Sequence, residues 1–372
     1  MNVTRLAFEN FRNLQDGFIS PCDSINVIYG SNAQGKTNLL EAIWLFTGGH
    51  SFRGTKDAEL PRLTDGKNAD AAALSMELFT EGRAQELMLF FKNGRRTSKI
   101  NGVEKKTGSA LVGKFCAVIF SPEHLLLVKE GPARRRAFMD GALCQAKPAY
   151  ARVLANYNKA LLQRNALLKD MLRHPELEDT LDVWDERLVL FGTQVVLERI
   201  AFCNLLAPKA AEIYAGIARE KEAVSFTYAP FGGAKTMEAI AGDFAAALKN
   251  ARSTDIRTGF TSVGPHRDDL NIEINGLSAR TYGSQGQQRS IVLALKLAEA
   301  DILFEKTGER PVILLDDVMS ELDMSRRDYL LNHLDGRQVF ITCCDPETVR
   351  LMEKGKGFFV ENGAVQNGEN RI

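Results

Sequence analysis

Apolar and polar residues alternate along two stretches in the first third of the chain, residues 71–79 and 86–91. Alternation with a period of two places every second side chain on the same face of a strand. The pairs Asn93-Gly94 and Asn101-Gly102 follow, and such pairs favour tight turns between neighbouring strands. The pattern therefore predicts an antiparallel sheet in this region.

Between residues 150 and 219 the apolar spacing becomes that of long helices. Two series recur every seventh residue: Leu154, Leu161 and Leu168, and then Leu188, Val195 and Phe202. A stripe with this period is typical of helices that pack along their length. The dipeptide His174-Pro175 separates the two series, so a helical hairpin that forms a second lobe is predicted.

Short runs rich in apolar residues predict buried strands near both ends of the chain, at 25–29, 312–315 and 339–342. Two further strands are expected at 224–228 and 270–274, followed by the turn pair Asn275-Gly276. The prediction is an α/β head that is discontinuous in sequence, formed by residues 1–140 and 255–372 around a mainly helical lobe of residues 141–254.

The composition suits a globular protein. The chain has 372 residues, 45% hydrophobic and 25% charged, enough for two hydrophobic cores. No apolar run approaches the roughly 20 residues of a membrane span, and the first residues, Met-Asn-Val-Thr-Arg, lack a signal-peptide pattern. Six cysteines without CxxC spacing and five scattered histidines exclude the common metal-binding patterns. A soluble cytoplasmic protein without a membrane partner is expected.

The formal net charge is zero, so any nucleic-acid surface must be a local one. Three cationic clusters are candidates: Arg134, Arg135 and Arg136; Arg95, Arg96 and Lys99; and Lys105 with Lys106. The alternative for each cluster is an ordinary solvated face.

Residues 30–37 match a phosphate-binding P-loop, the Walker A motif. They are Gly30, Ser31, Asn32, Ala33, Gln34, Gly35, Lys36 and Thr37. Glycine backbones can surround phosphate oxygens, Lys36 would reach the β and γ phosphates, and the Thr37 hydroxyl would bind Mg²⁺ at the start of a helix. The alternative is a simple glycine turn before a helix.

Two further motifs complete the pattern. Asp316 and Asp317 end the apolar run 312–315, where a carboxylate can hold Mg²⁺, although acids at this place can instead cap a helix. Ser284, Gly286 and Gln287 precede an apolar helix, and its N-terminal end favours an anion. Alone this second motif is weak, but its position about two dozen residues before the aspartates strengthens it.

These motifs together resemble the SMC-related branch of DNA-repair ATPases and, within it, the RecF family. Residues 284–289 resemble the ABC signature motif, and the run Asp-Asp-x-x-Ser-Glu-Leu-Asp at 316–323 adds to the likeness. Four more segments carry the resemblance: 51–57, 120–125, 131–140 and 264–269. The resemblance extends over nearly the whole chain and implies an ABC-type, SMC-like P-loop ATPase head with a flanking antiparallel sheet and an α-helical second lobe.

The resemblance also implies roles for individual residues. ATP and Mg²⁺ would be bound by residues 30–37 of one subunit and covered by Ser284, Gly286 and Gln287 of a second copy, giving an ATP-gated homodimer. Asp316 would hold Mg²⁺, Asp317 would be the catalytic acid, and Asp323 would couple the two sites. Arg53 would sense nucleotide, unless it pairs with Asp57, and Glu123 would complete the metal shell. His266 and Arg267 receive no role.

Two departures from related ATPases predict slow hydrolysis, which suits a switch better than a metabolic enzyme. Asp317 stands where many ABC ATPases have glutamate, and Cys343-Cys344 stands where they have a histidine. The family also usually has glycine near Glu130.

By resemblance, the protein would bind single- and double-stranded DNA at gaps or junctions and, with RecO and RecR, promote RecA loading in replication, recombination, repair and the SOS response. The alternatives are a nuclease-associated ATPase that tethers DNA ends and a transporter-type ABC ATPase subunit.

Overall fold

The computed structural model describes residues 1–64, 67–171, 173–218, 222–344 and 355–367. The strands are β1 (Asn2–Glu9), β2 (Gly17–Ile19), β3 (Ile25–Tyr29), β4 (Leu63–Thr64), β5 (Lys67–Asn68), β6 (Ala71–Thr80), β7 (Arg83–Lys92), β8 (Arg95–Ile100), β9 (Val103–Lys105), β10 (Ala117–Phe120), β11 (Val224–Ala229), β12 (Asp269–Ile274), β13 (Leu277–Ser278), β14 (Val312–Leu315), β15 (Val339–Cys343), β16 (Lys356–Glu361) and β17 (Ala364–Asn367). The helices are α1 (Lys36–Trp44), α2 (Leu126–Lys129), α3 (Pro132–Ala146), α4 (Pro148–Asp170), α5 (Leu181–Ala218), α6 (Met237–Thr258), α7 (Ala279–Tyr282), α8 (Gln285–Thr307), α9 (Val318–Glu321) and α10 (Met324–His333).

The chain divides into two compact units. Unit 1 contains residues 1–124 and 296–372, and unit 2 contains residues 125–295. Unit 2 is longer at both ends than the lobe expected at 141–254. The reason is local packing, because α3 packs against α4 and α5, and β12 pairs with β11, so both belong to unit 2. Residue 219, the expected end of the helical region, lies outside the described residues.

The central sheet of unit 1 has the strand order β10-β14-β15-β3-β16-β17, with every neighbouring pair parallel except β16 and β17. All residues of β10, β14 and β15 are buried, as expected for parallel strands covered on both faces. In parallel strands the carboxyl ends share one edge. The residues that follow β3, β14 and β15 therefore meet at a single edge of this sheet.

The second sheet of unit 1 is antiparallel, in the order β2-β1-β6-β7-β8-β9. The alternating stretches become β6 and β7, which confirms the predicted sheet, and the turn between them falls at Glu81 and Gly82. Asn93 and Asn101 have φ values of 51° and 49°, the left-handed conformation required by the predicted tight turns.

The predicted helical hairpin is α4 and α5 of unit 2. Arg164, near the end of α4, pairs with Asp185, near the start of α5. Tyr157 lies earlier in α4 and packs near Gly192, which lies later in α5. The two helices therefore run in opposite directions. Helix α6 adds a third layer, and a Cβ atom at Gly192 would lie only 2.5 Å from the Phe244 ring. Only glycine permits this close approach of α5 and α6.

Helix α5 corrects the expectation about apolar runs. The segment Glu176–Ala218 contains an 18-residue window with a mean hydropathy of 1.4, long and apolar enough to cross a membrane by length and composition alone. In the structure α5 packs against α4, α6 and β11, and Leu188, Val195 and Phe202 are buried in these contacts. A central helix of a folded unit can have this same composition, and 44% of the window is buried inside the structure.

Residues 264–269 organise a buried polar network in unit 2. Arg199 is 3% exposed and donates to both oxygens of Asp140 at 2.9 and 2.8 Å. Its remaining nitrogen donates to a main-chain carbonyl of the segment at 2.7 Å. Asp268 accepts hydrogen bonds from the Tyr228 hydroxyl and from a backbone amide. The segment that sequence resemblance left without a role therefore joins α3, α5 and β11.

Two groups of this segment have pKa values shifted in opposite directions by burial. His266 lies between the Tyr157 hydroxyl, at 2.6 Å from Nδ1, and the Thr261 carbonyl, at 3.0 Å from Nε2. Since a carbonyl can only accept, Nε2 carries the proton and Nδ1 accepts from Tyr157. Burial lowers the pKa of His266 to about 4 and raises the pKa of Asp268 to about 6.

These shifts predict a pH effect on stability that the variant His266→Gln isolates. Because the folded-state pKa of His266 is depressed, its contribution is fully present above the unfolded pKa of 6.5 and is lost as the pH falls towards 4. Asp268 has the opposite sign, since its raised pKa makes acidification through pH 6 stabilising. Between pH 7 and pH 5 the wild type should lose about 2 kcal/mol of unfolding free energy relative to His266→Gln.

Urea unfolding of both proteins at both pH values measures this difference. The variant His174→Gln, at an exposed histidine of the same unit, is the control and should follow the wild type. Identical pH dependence in the wild type and His266→Gln would contradict the assignment of a neutral buried histidine.

Candidate nucleotide-binding site

The P-loop connects β3 to α1 and needs its glycines. Gly30 has a φ of 147°, and a Cβ atom there would lie 2.2 Å from the carbonyl oxygen of Val360 in β16. Gly35 has a φ of 118° and leads directly into α1, whose first turn offers backbone amides to an anion. The predicted strand, loop and helix are therefore all present.

The turn between β16 and β17 supports this loop from one side. The Gly363 amide donates to the Gln34 carbonyl at 3.1 Å, and the Asn362 amide donates to the Gln34 side chain. The Gly363 carbonyl also accepts from the amide of Gln15 at 2.8 Å. A turn far along the chain thus fixes the middle of the P-loop.

Lys36 points back into the loop that precedes it. The side chain is 8% exposed, and Nζ donates to the carbonyl oxygens of Gly30 at 2.8 Å and Ser31 at 2.9 Å. The sulfur of Cys344, which follows β15, lies 3.5 Å from the same nitrogen. An ammonium group held only by neutral acceptors can exchange them for phosphate oxygens, because charge-assisted hydrogen bonds are stronger.

The carboxyl end of β14 brings Asp316 to the start of α1. Its Oδ1 accepts from the hydroxyls of Thr37 at 2.8 Å and Thr342 at 3.0 Å. Burial raises the pKa of Asp316, and these two hydrogen bonds oppose that change. A carboxylate beside a hydroxyl at the end of a buried strand is a donor set that suits Mg²⁺.

Asp317 lies one residue further on and faces solvent. It has a φ of 53°, and its amide donates to the Thr342 hydroxyl at 2.8 Å. Its side chain accepts from the Ser320 hydroxyl at 3.1 Å. Thr342 therefore orients both aspartates, one through the carboxylate and the other through the main chain. The sequence analysis did not identify Thr342 as a site residue. The one sequence feature that pointed to it is its position near the end of β15, the strand next to β14.

These residues line one cavity of about 320 Å³ in unit 1. The lining consists of Asn32, Ala33, Gly35, Lys36, Thr37, Asn38, Arg53, Asp316, Asp317, Thr342 and Cys344. Cations and backbone amides on one side and carboxylates with hydroxyls on the other fit a metal-bound polyphosphate. A larger cavity of about 770 Å³ lies along α5 and α6 in unit 2, but it has no phosphate-binding loop.

Arg53 lies in this cavity and does not pair with Asp57, so the alternative of an Arg53–Asp57 ion pair is wrong. Its Nη1 donates to the Asn38 side chain at 2.9 Å. Asp57 pairs instead with Arg96, whose Nε is 3.1 Å away. Arg96 is nearly buried, which removes it from the predicted cationic cluster around 95–99.

Two other sequence-predicted site residues, Glu123 and Asp323, lie outside this cavity. Glu123 is exposed in a short 3-10 turn and is not among the lining residues. Asp323 caps α10 by accepting from the Arg326 amide at 3.0 Å and pairs with the Arg326 side chain. Of the two candidate cysteines, Cys344 reaches the cavity, where it also contacts Asn32 at 2.9 Å, whereas Cys343 is buried in β15.

Residues 284–287 belong to unit 2 and form the N-terminal cap of α8. The Ser284 hydroxyl accepts from the Gln287 amide at 3.2 Å, and the Gln287 side chain accepts from the Ser284 amide at 2.7 Å. This reciprocal pair is a capping box. Gly286 lies in the first turn of α8, and its carbonyl accepts from the Ser290 hydroxyl at 3.0 Å.

The three arginines predicted to contact DNA have different environments. Arg134 is exposed and pairs with Glu130 at 2.9 Å. Arg135 is 6% exposed and donates to both oxygens of Asp269, at 2.6 and 2.8 Å. A phosphate could reach Arg135 only by displacing Asp269. The expectation of a DNA contact is therefore wrong for Arg135. Arg136 is half-buried.

Comparisons with known proteins show the family of this chain. The family model described as the RecF/RecN/SMC N terminal domain matches residues 2–367. The DNA replication and repair protein RecF of Acetivibrio thermocellus is 40% identical over 366 residues, which cover 97% of this chain and 98% of that protein. The RecF protein of Clostridium acetobutylicum is 41% identical, covering 98% and 99%.

Solved structures give the same result. The structure described as the recombination mediator protein RecF-ATP in the RecFOR pathway has a TM-score of 0.91 and 36% identity, covering 98% of this chain and 97% of the other. The Smc head domain of Pyrococcus furiosus has a TM-score of 0.56 and 16% identity, covering 98% and 95%. The second likeness is one of fold, and together they confirm the predicted SMC-like ATPase fold.

Proposed function

The chain belongs to the RecF family, and from this premise we propose that it is an ATP-dependent DNA-binding protein of recombinational repair that works as an ATP-gated homodimer. The observation that carries the proposal is the cavity of unit 1. It is lined by Lys36, which donates to the Gly30 carbonyl at 2.8 Å, and by Thr37, which donates to Asp316 at 2.8 Å. The RecF-ATP structure with a TM-score of 0.91 supports ATP as the nucleotide.

Different residues of the cavity would bind the phosphates and the Mg²⁺ of the nucleotide. Lys36 and the amides at the start of α1 would bind phosphate oxygens, and Arg53 would add a second positive charge at the opening. Thr37 and Asp316 would hold Mg²⁺, which when bound neutralises charge on the transferred phosphoryl group. Thr342 keeps Asp316 in place through its 3.0 Å hydrogen bond.

We infer that Asp317 orients the attacking water. Its side chain is exposed at the cavity, while its main chain is fixed by Thr342. Replacement by asparagine keeps the shape but removes the acceptor charge. We expect Asp317→Asn to lower the ATP turnover rate by about a hundredfold with little change in ATP affinity.

Single-turnover hydrolysis and titration of ATP binding measure the two quantities separately. The variant Asp335→Asn, at an exposed acid of the same unit, should leave both unchanged. Turnover at the wild-type rate in Asp317→Asn would exclude Asp317 as the catalytic acid.

The proposed dimer completes each nucleotide site with the cap of α8 from a second copy. Ser284, Gly286 and Gln287 would face the γ phosphate, and Asp323 would connect the two sites. ATP binding would then control dimer formation, and slow hydrolysis would release the dimer. The capping box that orders residues 284–287 supports a preformed surface for this contact.

The cellular role follows from the family. We infer that the protein acts in the cytoplasm on gapped or junction DNA, and with RecO and RecR promotes RecA loading during replication, repair and the SOS response. The full-length RecF relatives favour this role over the nuclease-associated end-tethering ATPase and the transporter-type subunit.

Sedimentation with and without ATP, and then with gapped duplex DNA, tests the proposal. The expected result is a shift to dimer with ATP and a larger complex when gapped DNA is added. A nucleotide-loaded monomer at every protein concentration and with every DNA would overturn the proposed gating.

A further inference from the structure

An exposed aromatic ring in unit 2 lies beside one cationic side chain, and the aliphatic stem of a second one lies near the residue that precedes the ring. The guanidinium carbon of Arg267 lies 5.5 Å from the centre of the Phe260 ring, which is 44% exposed. Lys169, at the end of α4, approaches the residue before Phe260, because its Cγ is 3.4 Å from the position of a Cβ on Gly259. Both cations are exposed to solvent.

Arg136 adds a third cation from α3. Its Nη1 donates to the carbonyl of Asp268 at 2.7 Å, next to Arg267 in sequence. Arg136 and Arg267 both lower the pKa of His266 through their charge, after the larger effect of burial, so both lie near the same imidazole ring. Arg136, Lys169, Phe260 and Arg267 are called the Phe260 face below.

Of the three cations of this face, Arg136 has carboxylates nearby, since Asp269, Asp268 and Asp140 each raise its pKa against the larger lowering by burial. Within the ranges that the structure describes, none of them forms an ion pair, unlike Arg134 and Arg135 beside them. The pKa of Arg136 is lowered, first by burial and then by the positive charge of Arg199. A cation in such surroundings is stabilised when an external anion approaches it.

We propose that the Phe260 face binds single-stranded DNA, with phosphates on Arg136, Lys169 and Arg267 and an unpaired base stacked on Phe260. This proposal rests on the proposed DNA-binding function and assigns it a surface. Cations beside an exposed aromatic ring are the combination that binds single strands, because every base has a face that can stack. An acidic protein segment would use the same cations but would not need the ring.

Unit 2 offers a matched control for this arrangement. Arg187 is exposed and lies 5.3 Å from the ring centre of Trp184, so it repeats the pairing of a guanidinium with an aromatic ring. Acids lie on the same turns of α5: Asp182 and Asp185, which both pair with Arg252, and the exposed Glu186. Phosphates should avoid this place, which separates the effect of local charge from that of the pair alone.

The first experiment tests the cations with Lys169→Gln/Arg267→Gln. Binding of fluorescein-labelled oligothymidine is measured in saturating ATP over a series of salt concentrations. Each lost phosphate contact on a single strand should reduce the slope of log affinity against log salt by about 0.7, so the double variant should lose about 1.4. Arg187→Gln should keep the wild-type slope, and ATP binding should be unchanged in both.

The second experiment tests stacking with Phe260→Leu, which keeps an apolar side chain but removes the ring. Affinity for oligothymidine should fall by about tenfold, while the salt slope stays the same. Affinity for an ungapped duplex should not change, since its bases are already stacked. Trp184→Leu is the corresponding control and should bind oligothymidine like the wild type.

The outcomes separate this proposal from the one on which it rests. If the wild type binds DNA with ATP and both variants bind it equally well with the same salt slope, the Phe260 face is excluded and DNA binding itself survives. A changed slope without any effect of Phe260→Leu would exclude the stacked single strand and favour a plain polyanion surface. A wild type that binds no DNA under any nucleotide condition would overturn the proposed function instead.

Discussion

Lys36→Ala should abolish ATP binding and, with it, any ATP-dependent dimer. The ammonium group sits inside the P-loop, on the carbonyls of Gly30 and Ser31, where it would meet the β and γ phosphates. Hydrogen bonds to charged groups contribute about 1.5–3 kcal/mol each, so loss of two contacts should weaken ATP binding by at least about a hundredfold. Calorimetric titration of ATP measures this directly, and sedimentation reports the dimer.

A second variant separates the charge of Lys36 from its packing. Lys36→Met keeps an unbranched aliphatic chain in the nearly buried site, so it should fold like the wild type and still fail to bind ATP. Lys92→Ala, at an exposed lysine of the same unit, should behave like the wild type. Dimers of Lys36→Ala that form with ATP would rule out nucleotide gating.

Ser284→Arg should leave ATP binding by the monomer near normal and block ATP-dependent dimerisation. The P-loop cavity is lined by residues of unit 1, whereas Ser284 caps α8 in unit 2, so the substitution does not alter the lining. In the proposed dimer the arginine would occupy space that the γ phosphate and its loop need. Titration of ATP at low protein concentration and sedimentation at high concentration measure the two effects.

Ser284→Arg also removes the side chain that caps α8, so a control must separate the loss of the cap from the added bulk. Ser284→Ala removes the acceptor for the Gln287 amide and should cost about 1 kcal/mol of helix stability. It adds no bulk, so its effect on dimerisation should be much smaller than that of Ser284→Arg. If the monomer of Ser284→Arg failed to bind ATP, the proposed role of Ser284 in a second copy would be contradicted.

The sequence predicted those parts of the fold and of the site that depend only on residues close together in the chain. A P-loop is recognisable because eight consecutive residues contain the glycines, the lysine and the hydroxyl that one loop needs. Asp316 was recognisable because it follows a buried strand without interruption. The alternation over 71–79 and 86–91 likewise predicts its sheet, because period-two burial needs no information from elsewhere in the chain.

The parts that sequence did not predict depend on which strands become neighbours. Thr342 reaches the cavity because β15 lies between β14 and β3, an order that no local pattern specifies. Arg96 and Arg135 looked like surface cations, but each meets a carboxylate distant in sequence, Asp57 and Asp269. A run of arginines in the sequence does not show which of them will form ion pairs with carboxylates that are distant in the chain.

The turn at Asn362 and Gly363 has a consequence for how the protein is made. It holds Gln34 across a separation of 328 residues, so the P-loop has its full support only after Gly363 has been synthesised. A nascent chain or a fragment that ends before Asn362 would contain every P-loop residue but would lack the turn that contacts Gln34. We expect copies that end before this turn to bind nucleotide less well than copies that include it.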